Sequence, residues 1–152
     1  MKKVLQSVFI SIFIFLLGAC SSSGKGIEIQ NAWARPAIQG GNGAVYFLLQ
    51  NQSVGGDELI GASSDVADAV EIHLSSMEGD VMRMQQVMSV PIGGKASVEF
   101  APGGFHIMLI GLKQDLNIGD EFQVSLQFKD HEDIPITVMV QETMDMDSVP
   151  SH

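Results

Sequence analysis

Cysteine is nearly absent from this 152-residue chain, in which Cys20 is the only one. A single thiol cannot form an intramolecular disulfide, so the fold must be stabilised by its hydrophobic core alone. Basic residues are also few, since eight Lys and Arg stand against eighteen Asp and Glu, for a net charge of −10. They are scattered along the chain. Because a phosphate backbone requires clustered basic residues, we expect no nucleic-acid partner.

Two further features are missing. No segment beyond the N-terminus has the apolar periodicity of a helix. The sequence also contains no nucleophile–base pair, no paired-carboxylate signature and no phosphate-binding loop. We therefore predict a protein that is not an enzyme and is built from β-strands.

The N-terminal segment has the pattern of an export signal. Lys2 and Lys3 precede a mostly apolar run over residues 4–17, which is too short to be a comfortable membrane span. The sequence 17–20, LGAC, resembles a bacterial lipobox, in which the cysteine is diacylated and becomes the first residue of the mature chain. We predict a signal peptide at 1–19 and a lipid-anchored tether at 20–26, attached through Cys20.

Lipidation of Cys20 has consequences for location and chemistry. It predicts an exported protein anchored to a membrane and facing the periplasm or the cell exterior. Ser21 follows the cysteine where Asp would signal inner-membrane retention in a Gram-negative host, so an outer-membrane location is compatible with the sequence. Acylation also leaves no thiol for catalysis or for metal binding.

Residues 27–141 consist of short apolar segments separated by Gly and Pro turns, which is typical of an antiparallel sandwich or barrel. The alternation is cleanest from Phe122 to Phe128. Strands are predicted at 27–33, 44–49, 59–60, 67–73, 81–87, 96–100, 105–110, 122–128 and 135–140. Residues 142–152 are acidic and polar, and we predict that this tail lies outside the core.

Four residues in or beside these strands are candidate metal ligands: His73, Met84, His106 and Met108. His106 and Met108 are two apart on one predicted strand and so share a face. If residues 77–80 form a four-residue hairpin loop, His73 lies opposite Met84, with Cβ atoms about 4.5–5.5 Å apart. Two side chains at that separation can reach one metal ion.

The ligand types indicate which metal. Thioether sulfur together with imidazole nitrogen favours the soft ion Cu(I) over Zn(II), Mg(II) or Ca(II). A blue-copper electron-transfer site is excluded, because it needs a cysteine thiolate. The site would therefore hold and transfer copper. Since the imidazoles must be neutral to bind, affinity should fall in acid.

Each candidate residue also has an explanation that involves no metal. Met84 and Met108 are compatible with core packing, and His106 with a buried histidine whose hydrogen bonds are satisfied. In the tail, Met144, Met146 and His152 are either a second copper-binding segment, with Cu(II) at His152, or part of a disordered acidic end. Met77 and Met88 we interpret as structural, and His131 as a solvated loop residue.

The chain resembles the PCu(A)C copper chaperones. Their pattern is His, ten residues, Met, twenty-one residues, His, one residue, Met, and the four candidate ligands match it without a gap. The surrounding sequence matches as well, with NAWARP at 31–36, VEIH at 70–73, VMRM at 81–84 and PGGFHIMLIGL at 102–112. The resemblance extends over about residues 27–140.

This resemblance implies a cupredoxin-like Greek-key β-sandwich with a shallow, exposed Cu(I) site. It implies delivery of Cu(I) to the binuclear centre of cytochrome c oxidase, with subunit II as the acceptor and a Sco-type protein as a further partner. We expect a monomer. The lipid anchor is a departure, because many members of that family are soluble periplasmic proteins.

Two other functions fit the same sequence. A lipid-anchored β-sandwich adaptor would have no metal role and would bind no stoichiometric copper. A copper buffer for tolerance would use the same four ligands, and its deletion would cause no oxidase defect at low copper.

Overall fold

Ten β-strands account for most of residues 26–142, the part of the chain that the computed structural model describes. They are β1 (Ile27–Ala34), β2 (Gly43–Asn51), β3 (Asp57–Ser63), β4 (Ala67–Glu78), β5 (Val81–Gln86), β6 (Val90–Ile92), β7 (Ser97–Phe100), β8 (Phe105–Leu112), β9 (Glu121–Phe128) and β10 (Ile134–Val140). Cys20 and the tail residues Met144, Met146 and His152 lie outside the described residues. Between residues 26 and 142, no helix is long and apolar enough to cross a membrane.

The strands are hydrogen-bonded in the order β5-β4-β8-β7-β2-β1-β10-β9-β3-β6, with β8 also pairing with β2. Many neighbours in space are distant in sequence, as where β1 runs parallel to β10 and β4 pairs with β8. Buried side chains of β2, β4 and β8 pack into one core with those of β3, β9 and β10. This arrangement confirms the predicted all-β Greek-key sandwich.

Strand β9 shows how the sequence encodes the sandwich. Phe122, Val124, Leu126 and Phe128 are buried, and the residues between them are exposed or half-buried. A strand presents alternate side chains to opposite faces, so one face of β9 belongs to the core and the other to the surface. The alternation predicted from the sequence is confirmed.

Strand β1 contains a bulge that explains the break in its apolar alternation. Gln30 pairs with Leu48 and Trp33 with Tyr46, so three steps along β1 correspond to two along β2. The additional residue is accommodated at Asn31, whose φ of 54° lies in the left-handed region. Asn enters that region more readily than other non-glycine residues. The bulge places Trp33 beside Tyr46.

The hairpin between β4 and β5 differs from the prediction. Glu78 pairs with Val81, so the loop has two residues, Gly79 and Asp80, and the predicted four-residue loop is wrong. Gly79 has a φ of 63°, which suits the first loop position of a type II′ turn. Strand β4 consequently continues five residues beyond His73, which was predicted to end it.

The shorter loop changes the register by two residues. His73 lies opposite Gln86, and Met84 lies opposite Ser75. The predicted pairing of His73 with Met84 is therefore wrong. Because the shift is an even number, Met84 stays on the same face as His73, as its diagonal neighbour.

Replacement of Asn31 should test the bulge. We expect Asn31→Ala to lower the free energy of unfolding by about 1 kcal/mol, because alanine enters the left-handed region at a cost. Asn31→Gly should leave stability within about 0.5 kcal/mol of the parent, because glycine adopts that conformation freely. Urea unfolding of both variants measures the difference, and equal stabilities would contradict the proposed role of Asn31.

Candidate metal centre

The candidate ligands lie on the outer face of the layer formed by β4, β8 and β2. On β8, Ile107 and Leu109 are fully buried in the core, so His106 and Met108 point to the opposite face. His73 is the direct Cα partner of His106 across the β4–β8 ladder. The two imidazole rings have centroids 5.8 Å apart. Strand pairing alone thus brings together two residues that are 33 positions apart in the sequence.

His106 is held in one orientation by the turn that precedes its strand. Its Nδ1 lies 3.1 Å from the carbonyl oxygen of Gly104. A carbonyl oxygen only accepts hydrogen bonds, so Nδ1 carries the proton and Nε2 carries a lone pair. That Nε2 atom is buried and has no hydrogen-bond partner among residues 26–142.

In His73 the roles of the two ring nitrogens are reversed. Its Nε2 lies 2.8 Å from Oε2 of Glu71, and the carboxylate can only accept, so Nε2 donates. The Nδ1 atom then carries the lone pair. This atom too is buried and finds no partner in the described part of the chain. Unpaired buried polar atoms are costly, and two of them on facing rings are typical of groups that bind a ligand.

The protonation state of His106 favours metal binding. Burial lowers the pKa of this imidazole, because the charged form loses its hydration. The hydrogen bond to the Gly104 carbonyl acts in the opposite direction, and a proton on the neighbouring His73 would add to the lowering. His106 is therefore held neutral at neutral pH, which is the form in which imidazole binds metals.

The two methionines are at the rim of one cleft. Met84 and Met108 line it together with His106, and its volume is about 410 Å³. Met108 is half-buried, between Glu71 and Ala44 on the neighbouring strands. Met84 is 51% exposed, so it does not fill the core. Core packing therefore does not explain Met84.

An aromatic pair supports the inner side of the centre. Trp33 and Tyr46 have ring centroids 4.8 Å apart, and Tyr46 lies 6.3 Å from the ring of His106. Both are nearly fully buried. Burial raises the pKa of Tyr46, with a smaller opposing effect of Arg35, so the phenol stays protonated. These buried rings pack on one side of His106.

Sequence reasoning identified the four candidates but missed the residues that orient them. Glu71 lies two residues before His73, and that spacing places both on one face of a strand, which is a signal the sequence does contain. The role of the Gly104 carbonyl had no such signal, because it depends on the turn geometry. His131, as predicted, is exposed in a loop.

The donor set has a definite chemical preference. Two imidazole nitrogens and two thioether sulfurs suit a soft monovalent ion. Within residues 26–142, no group of three or more His, Cys, Asp or Glu side chains is arranged to hold a metal ion. The metal-binding prediction for this part of the chain therefore rests on the mixed imidazole and thioether set.

Comparison with known proteins places the chain in a family. The family model described as "Putative lipoprotein LpqE-like" matches residues 27–140. The uncharacterized protein RP573 of Rickettsia prowazekii is 41% identical over 119 residues, which cover 75% of this chain and 66% of that protein, just under two thirds. The protein described as "Putative lipoprotein Lxx21020" of Leifsonia xyli is 30% identical over 135 residues, which cover 85% of this chain and 80% of the relative.

Solved structures agree on the fold. The copper-bound PCuAC domain of PmoF2 has a TM-score of 0.67 at 22% identity, covering 80% of this chain and 97% of that domain. The Cu(I) form of DR1885 from Deinococcus radiodurans has a TM-score of 0.61 at 21% identity, covering 82% and 85%. The chain therefore belongs to the LpqE-like family, and its fold is the cupredoxin-like β-sandwich of the PCuAC domains.

Proposed function

We propose that this protein is an exported, lipid-anchored Cu(I) carrier whose ligands are His73, Met84, His106 and Met108. It binds copper without catalysing a reaction and releases it by ligand exchange. The oxidation state follows from the ligands, because two thioethers stabilise Cu(I) over Cu(II).

One observation carries this proposal. His73 Nδ1 and His106 Nε2 are buried and unpartnered within the described chain, while the other nitrogen of each ring is held by a hydrogen bond. Metal-binding histidines characteristically use their second nitrogen to donate to a carboxylate or a backbone carbonyl. Both kinds of partner occur here. A core histidine would instead have both nitrogens satisfied.

The comparisons support the same metal. The PmoF2 domain is described as copper-bound, and DR1885 as its Cu(I) form, and both share this fold. The membrane anchor is supported by the family description and by the Leifsonia relative, both of which are lipoproteins by name. We accordingly assign residues 1–19 to a signal peptide, 20–26 to a tether from lipidated Cys20, and 27–141 to the copper domain.

Release depends on the exposed side of the centre. Met84 lies on β5, where every residue is exposed, so an acceptor ligand can approach copper from that side. With no thiolate in the donor set, an acceptor bearing thiolates binds more tightly and withdraws the ion. We propose cytochrome c oxidase subunit II as the acceptor, with a Sco-type protein as a further partner. We propose further, from the sequence alone, that the tail residues Met144, Met146 and His152 form a secondary segment that binds Cu(II), not Cu(I), at His152.

Copper titration tests the proposal directly. We expect the chain from Ser21 onward to bind one tight equivalent of Cu(I) under anaerobic conditions against a competing chelator. His106→Ala and Met108→Ala should each remove or greatly weaken it, since each deletes one ligand. Trp33, the only tryptophan, packs against Tyr46 beside His106, and its fluorescence gives a second readout.

The matched control for that titration is His131→Ala, which removes an exposed histidine remote from the cleft. It should bind copper as the parent does. Binding that is indifferent to His106 and Met108 would contradict the ligand assignment and favour the adaptor. A tight site in a protein that cannot load a thiolate acceptor would favour the buffer.

Glu71→Gln tests the orientation of His73. The neutral amide can no longer hold the Nε2 proton as a carboxylate does, so we expect the Cu(I) affinity to fall roughly 10- to 100-fold. Chelator competition measures the change. Glu78→Gln is the control, because Glu78 is paired with exposed Arg83 on the opposite face of the hairpin. Equal affinity in the two variants would show that Glu71 does not act on the centre.

The stability of the metal-free protein should depend on pH through His106. Its folded pKa is below the ordinary 6.5, so the unfolded chain takes up a proton first as the pH falls. The free energy of unfolding should therefore decrease below about pH 6.5, until the folded pKa is passed. Urea unfolding between pH 7.5 and 5 measures this, and His106→Gln should flatten the profile more than His131→Gln does.

A further inference from the structure

The tip of the β4–β5 hairpin carries a group of exposed methionines. Met77 is 60% exposed, Met82 is 61% exposed and Met84 is 51% exposed. Methionine is usually a buried residue, so three exposed thioethers on one hairpin call for an explanation. Packing does not supply one, because β5 is an edge strand and all six of its residues are exposed.

The register places the three sulfurs on one face. Met77 is the direct Cα partner of Met82, so their Cβ atoms are about 4.5–5.5 Å apart. Met84 follows Met82 by two positions and shares its face, roughly 6.7 Å further along the strand. This is also the face that carries His73. The thioethers thus form a row from the hairpin tip to the candidate centre.

The row is continuous with the cleft. Met82 and Met84 both line it, together with His106 and Met108. The positive charge of the hairpin lies on the other face, where Arg83 forms an ion pair with Glu78 at 2.5 Å. A cation approaching the methionine face therefore meets no positive charge from Arg83, and the basic residue on that side is Arg35, which lines the cleft. Thioethers that are adjacent and uncovered suit a soft, monovalent ion.

We propose that Met77 and Met82 form a second, weaker Cu(I) site that exchanges the ion with the main centre through Met84. The inference rests on the proposed copper-carrier function. Copper remains Cu(I) throughout, so no oxidant or reductant is needed. At each step one thioether leaves the ion as another thioether or an imidazole binds, with Met84 as the ligand common to both sites.

A titration of the detergent-solubilised full chain with Cu(I), and in parallel with redox-inert Ag(I), tests this inference. We expect one tight and one weaker equivalent. The double variant Met77→Leu/Met82→Leu should keep the tight equivalent and lose the weaker one, and its loading from a Cu(I)–chelator complex should slow. Leucine preserves the apolar surface, so only sulfur is removed.

The matched control is Met88→Leu/Met139→Leu, which removes two methionines that are 85% and 46% exposed elsewhere on the surface. It should keep both equivalents. Carbon-13 spectra of methionine methyl groups add a direct reading, in which the Met77 and Met82 signals should shift with the second equivalent.

The outcomes separate this inference from the function on which it rests. A single tight equivalent and no second one would overturn the hairpin site and leave the carrier intact. A second equivalent that survives the Met77→Leu/Met82→Leu change would also overturn it, and would place that ion elsewhere on the chain. Absence of any tight equivalent would overturn the carrier itself, and the hairpin site with it.

Discussion

The pairing of β4 with β8 is the constraint on which the candidate centre depends. It places His73 directly opposite His106, and each ring is then fixed by one hydrogen bond to a near neighbour in sequence, Glu71 or Gly104. Long-range pairing brings the rings together, and short-range hydrogen bonds decide which nitrogen each ring presents. Neither alone would leave two buried, unpartnered nitrogens on adjacent rings.

Other parts of the structure hold this pairing in register and support the two rings. The core side of β8 is fixed by Ile107 and Leu109, whose burial prevents the strand from slipping by one residue and turning His106 inward. The bulge at Asn31 brings Trp33 against Tyr46, and these rings close the inner side of the centre. A sandwich fold thus supplies a rigid support for ligands that lie on its outer surface.

Much of this could be predicted from the sequence, and the limits have physical causes. Alternation of apolar and polar residues in β9 indicates a strand, and the four candidates follow a motif of fixed spacing. The all-β class and the candidate residues could therefore be predicted from the sequence. The hairpin register was not, because Glu78-Gly79-Asp80 is compatible with loops of several lengths, and only the positive φ at Gly79 selects the two-residue turn. Strand β6 was not predicted, because it has only three residues and the proline at its centre, Pro91, is typical of a break between strands.

Strand β5 has neighbours on one side only, and it contributes Met84 to the proposed ligand set. Edge strands with few buried contacts open locally at low free energy. The histidines lie on strands that are paired on both sides, whereas Met84 lies on a strand that is paired on one side, so closing the proposed ligand set restricts the motion of β5. The entropy lost in ordering opposes part of the copper–ligand attraction. Part of the binding free energy is then offset within the fold itself, which favours handover of the ion in the carrier function that we propose.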